Sequence, residues 1–125
     1  MNKQKEENFI KKYVQKNRQE RLRFELTNEK KRKSALDRFS HSTLEIIDKS
    51  KIIAEMQKAN DEMLIKHLSP NDNYVLSGKY IDGLDMSSKA ALQEINEEFG
   101  PVIVISSKCA IIKTEGYGNT TYILN

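Results

Sequence analysis

The sequence is poor in residues that build covalent or rigid frameworks: its 125 residues include one cysteine, two prolines, five glycines and no tryptophan. Because Cys109 is alone, no internal disulfide can form, and such cysteine usage is typical of a reducing compartment. Apolar runs are short as well. The run from Val102 to Ile105 is among the longest, whereas a membrane span needs ~18–20 apolar residues. We therefore expect a cytoplasmic protein with no membrane partner.

Positive and negative charges are unevenly distributed along the chain. Residues 1–35 carry twelve Lys and Arg against five Glu, whereas residues 36–125 carry nine Lys and Arg against thirteen Asp and Glu. A basic region favours nucleic acid or an acidic partner, and an acidic region favours a basic protein partner. A solvated helix surface followed by an ordinary acidic domain explains the same asymmetry, so charge alone leaves these alternatives open.

The first half of the chain has mainly helical periodicity. Residues 1–8 contain almost no apolar side chains, and we expect them to be disordered. From Phe9 onward, apolar side chains recur with the 3.6-residue period of an amphipathic helix. A second helix is predicted from Glu29 to about Ser40, and another from Lys51 to Leu68. Residues 9–68 should therefore be mainly helical.

The pattern changes near residue 74, where β-branched and aromatic residues replace the helical period. Glycine-containing turns separate short predicted strands, and one helix lies among them, from about Ser87 to Phe99. The run 102–106 is apolar on both faces, as is typical of a central strand. We predict one α+β domain covering residues 1–125, in which N-terminal helices precede a small antiparallel β-meander, residues 74–125, with one packed helix.

The candidate catalytic and metal-binding residues have local structural explanations. His41 follows a helix, where a hydrogen bond to a terminal carbonyl and the helix dipole account for it without catalysis. His67 and Cys109 fall on apolar faces and lack the close paired spacing of a zinc site. Asp82 begins a standard Asp-Gly turn, and Asp85 precedes a helix N terminus. We expect no enzymatic activity, no metal and no cofactor.

A basic face is predicted on the helices of residues 11–33, and it includes four consecutive cations: Lys30, Lys31, Arg32 and Lys33. We expect these four residues to lie on the exposed edge of their helix, where they could contact several phosphates. No helix-turn-helix or RNA-binding aromatic pattern accompanies the cluster, and glutamates interrupt its charge. Nucleic-acid binding through this face is therefore the alternative function.

Three stretches of the chain, taken together, carry a resemblance to a known group of proteins. They are residues 31–41, residues 74–77 with the following Asp82-Gly83, and residues 105–124. The third stretch contains Cys109-Ala110, Thr114-Glu115-Gly116 and a closing Tyr122-Ile123-Leu124. In order and spacing, residues 20–125 resemble a group of small bacterial proteins that includes the immunity proteins of contact-dependent growth inhibition systems.

The resemblance implies a non-enzymatic protein that binds and neutralises a cognate bacterial toxin domain, commonly a nuclease. The basic face of such a toxin would meet an acidic surface, for which the candidates are Asp82, Asp85, Glu94, Glu97, Glu98 and Glu115. We expect Tyr80 or Tyr117 to serve as an aromatic anchor, because a few buried aromatic residues carry much of the binding energy in protein interfaces.

Overall fold

Six antiparallel strands in one sheet organise the computed structural model, which describes residues 1–57, 60–97, 101–114 and 120–125. The strands are β1 (Ile52–Met56), β2 (Asn73–Leu76), β3 (Asp85–Met86), β4 (Val102–Ile105), β5 (Ala110–Lys113) and β6 (Thr121–Leu124). They lie in the order β1-β6-β5-β4-β2-β3. The consecutive pairing of β4, β5 and β6 confirms the predicted meander, and β2 joins it beside β4.

The helices of the described residues are α1 (Lys3–Tyr13), α2 (Lys16–Leu26), α3 (Glu29–His41), α4 (Thr43–Ile46), α5 (Asp61–Ile65) and α6 (Ser88–Ile95), with a 3-10 turn at Lys49–Lys51. Polar side chains accept hydrogen bonds from first-turn amides that lack an intrahelical partner, at Asn2, Asn28, Asn60 and Ser87. Among the described residues, no helix is both long enough and apolar enough to cross a bilayer.

Helices cover both faces of the sheet, which explains why its central strands carry apolar side chains on both faces. On one face, Leu76, Ile103 and Ile112 belong to a core shared with α1, α2 and α3. On the other face, Val104 and Ile111 belong to a core shared with α5 and α6. The predicted central strand is therefore central, and the fold is of the α+β class, as predicted.

The prediction that residues 1–8 are disordered is wrong, because α1 begins at Lys3. The side chain of Asn2 accepts a hydrogen bond from the Lys5 amide at 3.0 Å and so caps the helix. Glu6 is buried, with only 5% of its surface exposed. This polar segment folds because the buried carboxylate finds a cationic partner on α3, which repays its loss of hydration.

The predicted helix from Lys51 to Leu68 is also wrong, because this segment contains β1 and the short α5. Hydrogen bonds to β6, together with partial burial of Ile52 and Ala54, outweigh the helical propensity of the segment. Another tertiary contact, an isolated bridge between Val14 and Ile47, separates α1 from α2 where one continuous helical stripe was predicted.

A buried lysine lies at the end of β5. Lys113 is 4% exposed, and within the described residues its Nζ has no hydrogen-bond partner. Burial lowers the pKa of this amine, the charge of Lys79 lowers it further, and Glu97 opposes these effects only in part. Because the unfolded chain binds this proton more tightly than the folded chain, the protonated amine destabilises the fold. This loss of stability is therefore largest at low and neutral pH, and it disappears as the pH rises through 10.5, the ordinary pKa of lysine.

We predict that Lys113→Met raises the free energy of unfolding by roughly 1–3 kcal/mol at neutral pH, because methionine fills similar space without a buried charge. Urea unfolding followed by circular dichroism measures this gain, which should diminish near pH 10.5. Lys89→Met on an exposed position of α6 is the control and should change stability by less than about 0.5 kcal/mol. A less stable Lys113→Met protein would contradict this account.

Candidate functional site

The connection between β2 and β3 presents the most exposed aromatic side chain of the described residues. We call residues 77–84 the Tyr80 loop. Tyr80 is 90% exposed, whereas Ile81 beside it is buried and holds the loop against the body of the protein. Gly83 has a φ of 81°, a conformation that favours glycine, and its N–H donates to the Val75 carbonyl at 2.8 Å. The loop therefore projects Tyr80 while its base stays attached to the sheet.

Arg32 on α3 fixes the loop from the protein interior. Its Nε and Nη2 donate to the Asp82 carboxylate at 2.6 and 3.0 Å, and its Nη1 and Nη2 donate to the Glu6 carboxylate at 2.7 and 2.8 Å. Nη1 also donates to the Leu26 carbonyl at 3.0 Å, so these contacts match the five N–H groups of a guanidinium. Asp82 in turn accepts from the Ser77 amide at 3.1 Å. One side chain of α3 thus joins the loop to α1 and to the end of α2.

A tyrosine hydroxyl completes this arrangement, which we call the Arg32 network: Arg32, Glu6, Asp82 and Tyr74. The Tyr74 hydroxyl donates to Glu6 Oε2 at 2.6 Å and accepts from the Asn2 amide at 2.8 Å. Burial, followed by the bond to Glu6, raises the pKa of Tyr74 to about 12, so the hydroxyl remains a donor at physiological pH. Burial of the Arg32 guanidinium lowers its pKa. The hydrogen bonds to Asp82 and Glu6 have the larger effect, so the pKa is raised overall.

A second ion pair braces the other side of the loop. Lys79 pairs with Glu97, which lies just beyond the last residue of α6. The hydrogen bond from Lys79 lowers the pKa of Glu97. One turn earlier, Glu94 is half-buried, and burial followed by the charge of Glu97 raises its pKa. Two carboxylates therefore lie beside the Tyr80 loop, and a single lysine offsets their charge only in part.

The structure separates the predicted acidic contact residues. Glu94 and Glu97 lie together beside the Tyr80 loop. Asp85, with its side chain 48% exposed, pairs with Lys5 at 2.8 Å. The side chain of Asp82 is only 13% exposed and belongs to the Arg32 network, so its predicted position on the exposed surface is wrong. The predictions for three residues fall outside the described part of the chain: Glu98, Glu115 and Tyr117.

The predicted basic edge of α3 loses one of its four members. Lys30, Lys31 and Lys33 are exposed, but Arg32 is buried, so the prediction that all four cations face solvent is wrong. Successive helical residues are rotated by about 100°, and consecutive residues therefore cannot share one face. Arg32 lies three residues before Ala35, which is buried, and this spacing places it on the inward face of α3.

A cleft of about 510 Å³ lies beside the Tyr80 loop, between α3 and the ends of β2, β4 and β5. Residues Ser77 to Lys79 belong both to the loop and to the cleft lining. The rest of the lining includes the exposed Lys33, the buried Lys113 and apolar side chains such as Leu36, Phe39, Leu76 and Ile103. Its size is within the range of about 300–1,000 Å³ that small-molecule sites occupy.

Local contacts account for His41 and Cys109. His41 Nδ1 lies 3.0 Å from the Asp37 carbonyl, the helix-end contact that the sequence predicts. Cys109 is buried, and its Sγ donates to the His67 carbonyl at 2.9 Å. Burial raises the pKa of this thiol, which leaves little of the nucleophilic thiolate at neutral pH. Across the described ranges, no group of three or more His, Cys, Asp or Glu is arranged to hold a metal ion.

No protein-family model, curated protein or solved structure matches this chain. The resemblance to immunity proteins therefore stays a prediction, and the functional argument depends on local geometry. The sequence analysis missed the Arg32 network because its bonds join residues 26, 50 and 68 positions apart. A weak signal was present: Glu6 lies three and four residues before the apolar Phe9 and Ile10, on the inward face of α1.

We predict that Arg32→Met lowers the free energy of unfolding by about 3–5 kcal/mol, because it leaves the carboxylates of Glu6 and Asp82 buried without a cation. Urea denaturation at neutral pH measures the loss. Lys33→Met removes the adjacent, exposed cation of the same helix and should change stability by less than about 0.5 kcal/mol. Equal stabilities of the two variants would show that the Arg32 network does not hold the fold together.

Proposed function

We propose that this protein is a non-enzymatic binding protein that engages a basic partner protein through the Tyr80 loop and two neighbouring carboxylates, those of Glu94 on α6 and Glu97 just beyond it. The observation that carries the proposal is a tyrosine, 90% exposed, on a loop that ion pairs hold from two sides. Leu84, 48% exposed, extends the apolar surface of the same loop. Covering such side chains with a partner removes apolar surface from water and favours association.

The rigidity of the loop favours tight binding. A flexible loop loses conformational entropy when a partner orders it, and that loss reduces the affinity. In the free protein, the Arg32–Asp82 and Lys79–Glu97 pairs already restrict the Tyr80 loop. Rigidly held aromatic side chains are also the commonest energetic centres of protein interfaces. Tyr80 is an aromatic residue on a loop that these pairs hold, so it is the proposed anchor.

The charges beside Tyr80 favour a basic partner. The pKa of Glu94 is raised by its partial burial and by the negative charge of Glu97, so this carboxylate lacks sufficient positive charge around it. A lysine or arginine from a partner would supply that charge and strengthen the contact. Complementary charges also accelerate association by steering the two proteins toward each other.

We further propose that the partner is a bacterial toxin domain, as the resemblance of residues 20–125 implies. A nuclease toxin needs a basic face to bind the phosphates of its substrate, and an acidic protein surface can cover that face. Neutralisation then requires fast, tight binding and no catalytic step by the inhibitor. The encounter would take place in the cytoplasm, the reducing compartment that the single cysteine favours.

Nucleic-acid binding through the basic helical face remains the alternative proposal. Lys30, Lys31 and Lys33 are exposed and available to phosphates, whereas the guanidinium of Arg32 is fully engaged inside the protein. Titration with labelled RNA and DNA at two salt concentrations separates the proposals. Binding that weakens steeply with salt and with loss of these lysines would favour the alternative.

For the leading proposal, we predict that Tyr80→Ala weakens binding to the cognate toxin domain by about 2 kcal/mol, or roughly thirtyfold in Kd. Surface plasmon resonance with the isolated toxin domain measures this change, which should appear mainly as faster dissociation. Phe24→Ala is the matched control, since Phe24 is 57% exposed on α2 and lies outside the proposed interface. Its affinity should equal that of the wild type.

Two results would count against the proposal. If Tyr80→Ala and Phe24→Ala bind the toxin equally well, the Tyr80 loop is not the interface. If cells that express the wild-type protein are killed by the toxin as readily as cells that lack it, toxin neutralisation itself is wrong.

A further inference from the structure

The cleft beside α3 has chemical features that the proposed protein interface does not use. Its interior is formed by apolar side chains from three elements, including Leu36 of α3, Leu76 of β2 and Ile103 of β4. The cleft opens to solvent, and its volume of about 510 Å³ is ample for a small organic molecule. A cleft of this size with a partly apolar lining can accept the apolar body of a small ligand beside its polar groups.

Lysines give the lining of the cleft an excess of positive charge. Among the described residues that line it, Lys33, Lys79 and Lys113 carry positive charge and Asp37 carries negative charge. Lys33 is exposed on α3 and lies along Gly78, with its Cγ 3.7 Å from the position that a side-chain carbon on this glycine would occupy. Lys79 is already paired with Glu97. Lys33 is therefore the cation of the cleft lining best placed to meet a ligand from solvent.

Two buried polar atoms in the cleft walls lack partners within the described residues. They are Ser40 Oγ and Lys113 Nζ, and their residues are 7% and 4% exposed. Ser40 lies seven residues after Lys33, two turns along the same face of α3, so both residues face the cleft. Neighbouring atoms cover both polar atoms, and a ligand would reach them through a change of rotamer. Unpaired buried donors are rare in folded proteins, so these two atoms distinguish the cleft walls from an ordinary surface groove.

We propose that this cleft binds a small organic monocarboxylate, with the apolar body of the ligand inside and its carboxylate at the lysine-lined rim. A carboxylate complements the excess positive charge, whereas a cationic ligand would add to it. A ligand with one negative charge is enough to balance the remaining positive charge of the cleft, because Glu97 and Asp37 already balance part of the lysine charge. This site does not depend on the proposed protein interface, and it requires no partner protein.

Octanoate is a suitable probe, because it joins a single carboxylate to an eight-carbon apolar chain. We expect amide chemical shifts of the full-length protein to move on titration with octanoate, and to move most at residues 33–40, 76–79, 101–103 and 112–113. 1-Octanol, octylamine and acetate are the matched ligands that lack the negative charge, reverse it or lack the apolar body. Each should bind at least about fivefold more weakly than octanoate.

Charge reversal at the rim tests the orientation of the ligand. Lys33→Glu should weaken octanoate binding about five- to tenfold, because it replaces an attractive charge by a repulsive one. Lys30→Glu is the matched control on the same helix; Lys30 is exposed but does not line the cleft, and binding should be unchanged.

Several outcomes would overturn the proposal. Equal affinities for octanoate and 1-octanol would show that the cleft recognises the apolar chain and not the carboxylate. Tighter binding of octyl phosphate than of octanoate would replace the carboxylate assignment by a phosphate site. If chemical shifts change only away from the cleft, or do not change at all, the cleft does not bind octanoate. None of these results would affect the toxin-binding proposal, because the titration contains no partner protein.

Discussion

The rest of the structure depends on the hydrogen bonds that the Arg32 guanidinium donates to the carboxylates of Glu6 and Asp82. Arg32 is 8% exposed, and its guanidinium needs carboxylates that accept hydrogen bonds from its N–H groups in this position; Glu6 and Asp82 supply them. Through these bonds the polar start of the chain becomes part of α1, and the Tyr80 loop is held against α3. Order at the N terminus and order at the candidate interface therefore have the same physical origin.

This arrangement also changes how the surface charge should be interpreted. A run of four cations on α3 gives a strongly basic sequence, yet its arginine pairs with two carboxylates inside the protein and leaves three lysines facing solvent. Asp82 likewise stabilises the loop from inside, while Glu94 and Glu97 supply the negative charge beside Tyr80. The charge available to a partner is consequently smaller on the basic side, and more localised on the acidic side, than residue counts indicate.

The α+β class, the meander and the extent of α3 were predictable from the sequence, because each depends on local periodicity and turn residues. The strand at Ile52–Met56 was not, because its backbone pairs with β6, nearly seventy positions later, and this pairing outweighs local helical propensity. The same limit applies to the candidate site. Tyr80 could be proposed from its residue type, but the burial of Arg32 with Asp82 depends on a contact across 50 positions.

The central claim is that the Arg32 network, anchored on α1, holds the Tyr80 loop in place, and amide hydrogen exchange of the Glu6→Gln variant tests it most directly. This change removes one charge far along the chain from the loop and leaves every loop residue intact. The Ser77 amide, which donates to Asp82, and the Gly83 amide, which donates to Val75, report on the loop. We predict that both exchange at least about tenfold faster in the variant, with Ala91 on α6 unchanged. Exchange at Ser77 and Gly83 that matches the wild type would contradict the coupling between α1 and the loop.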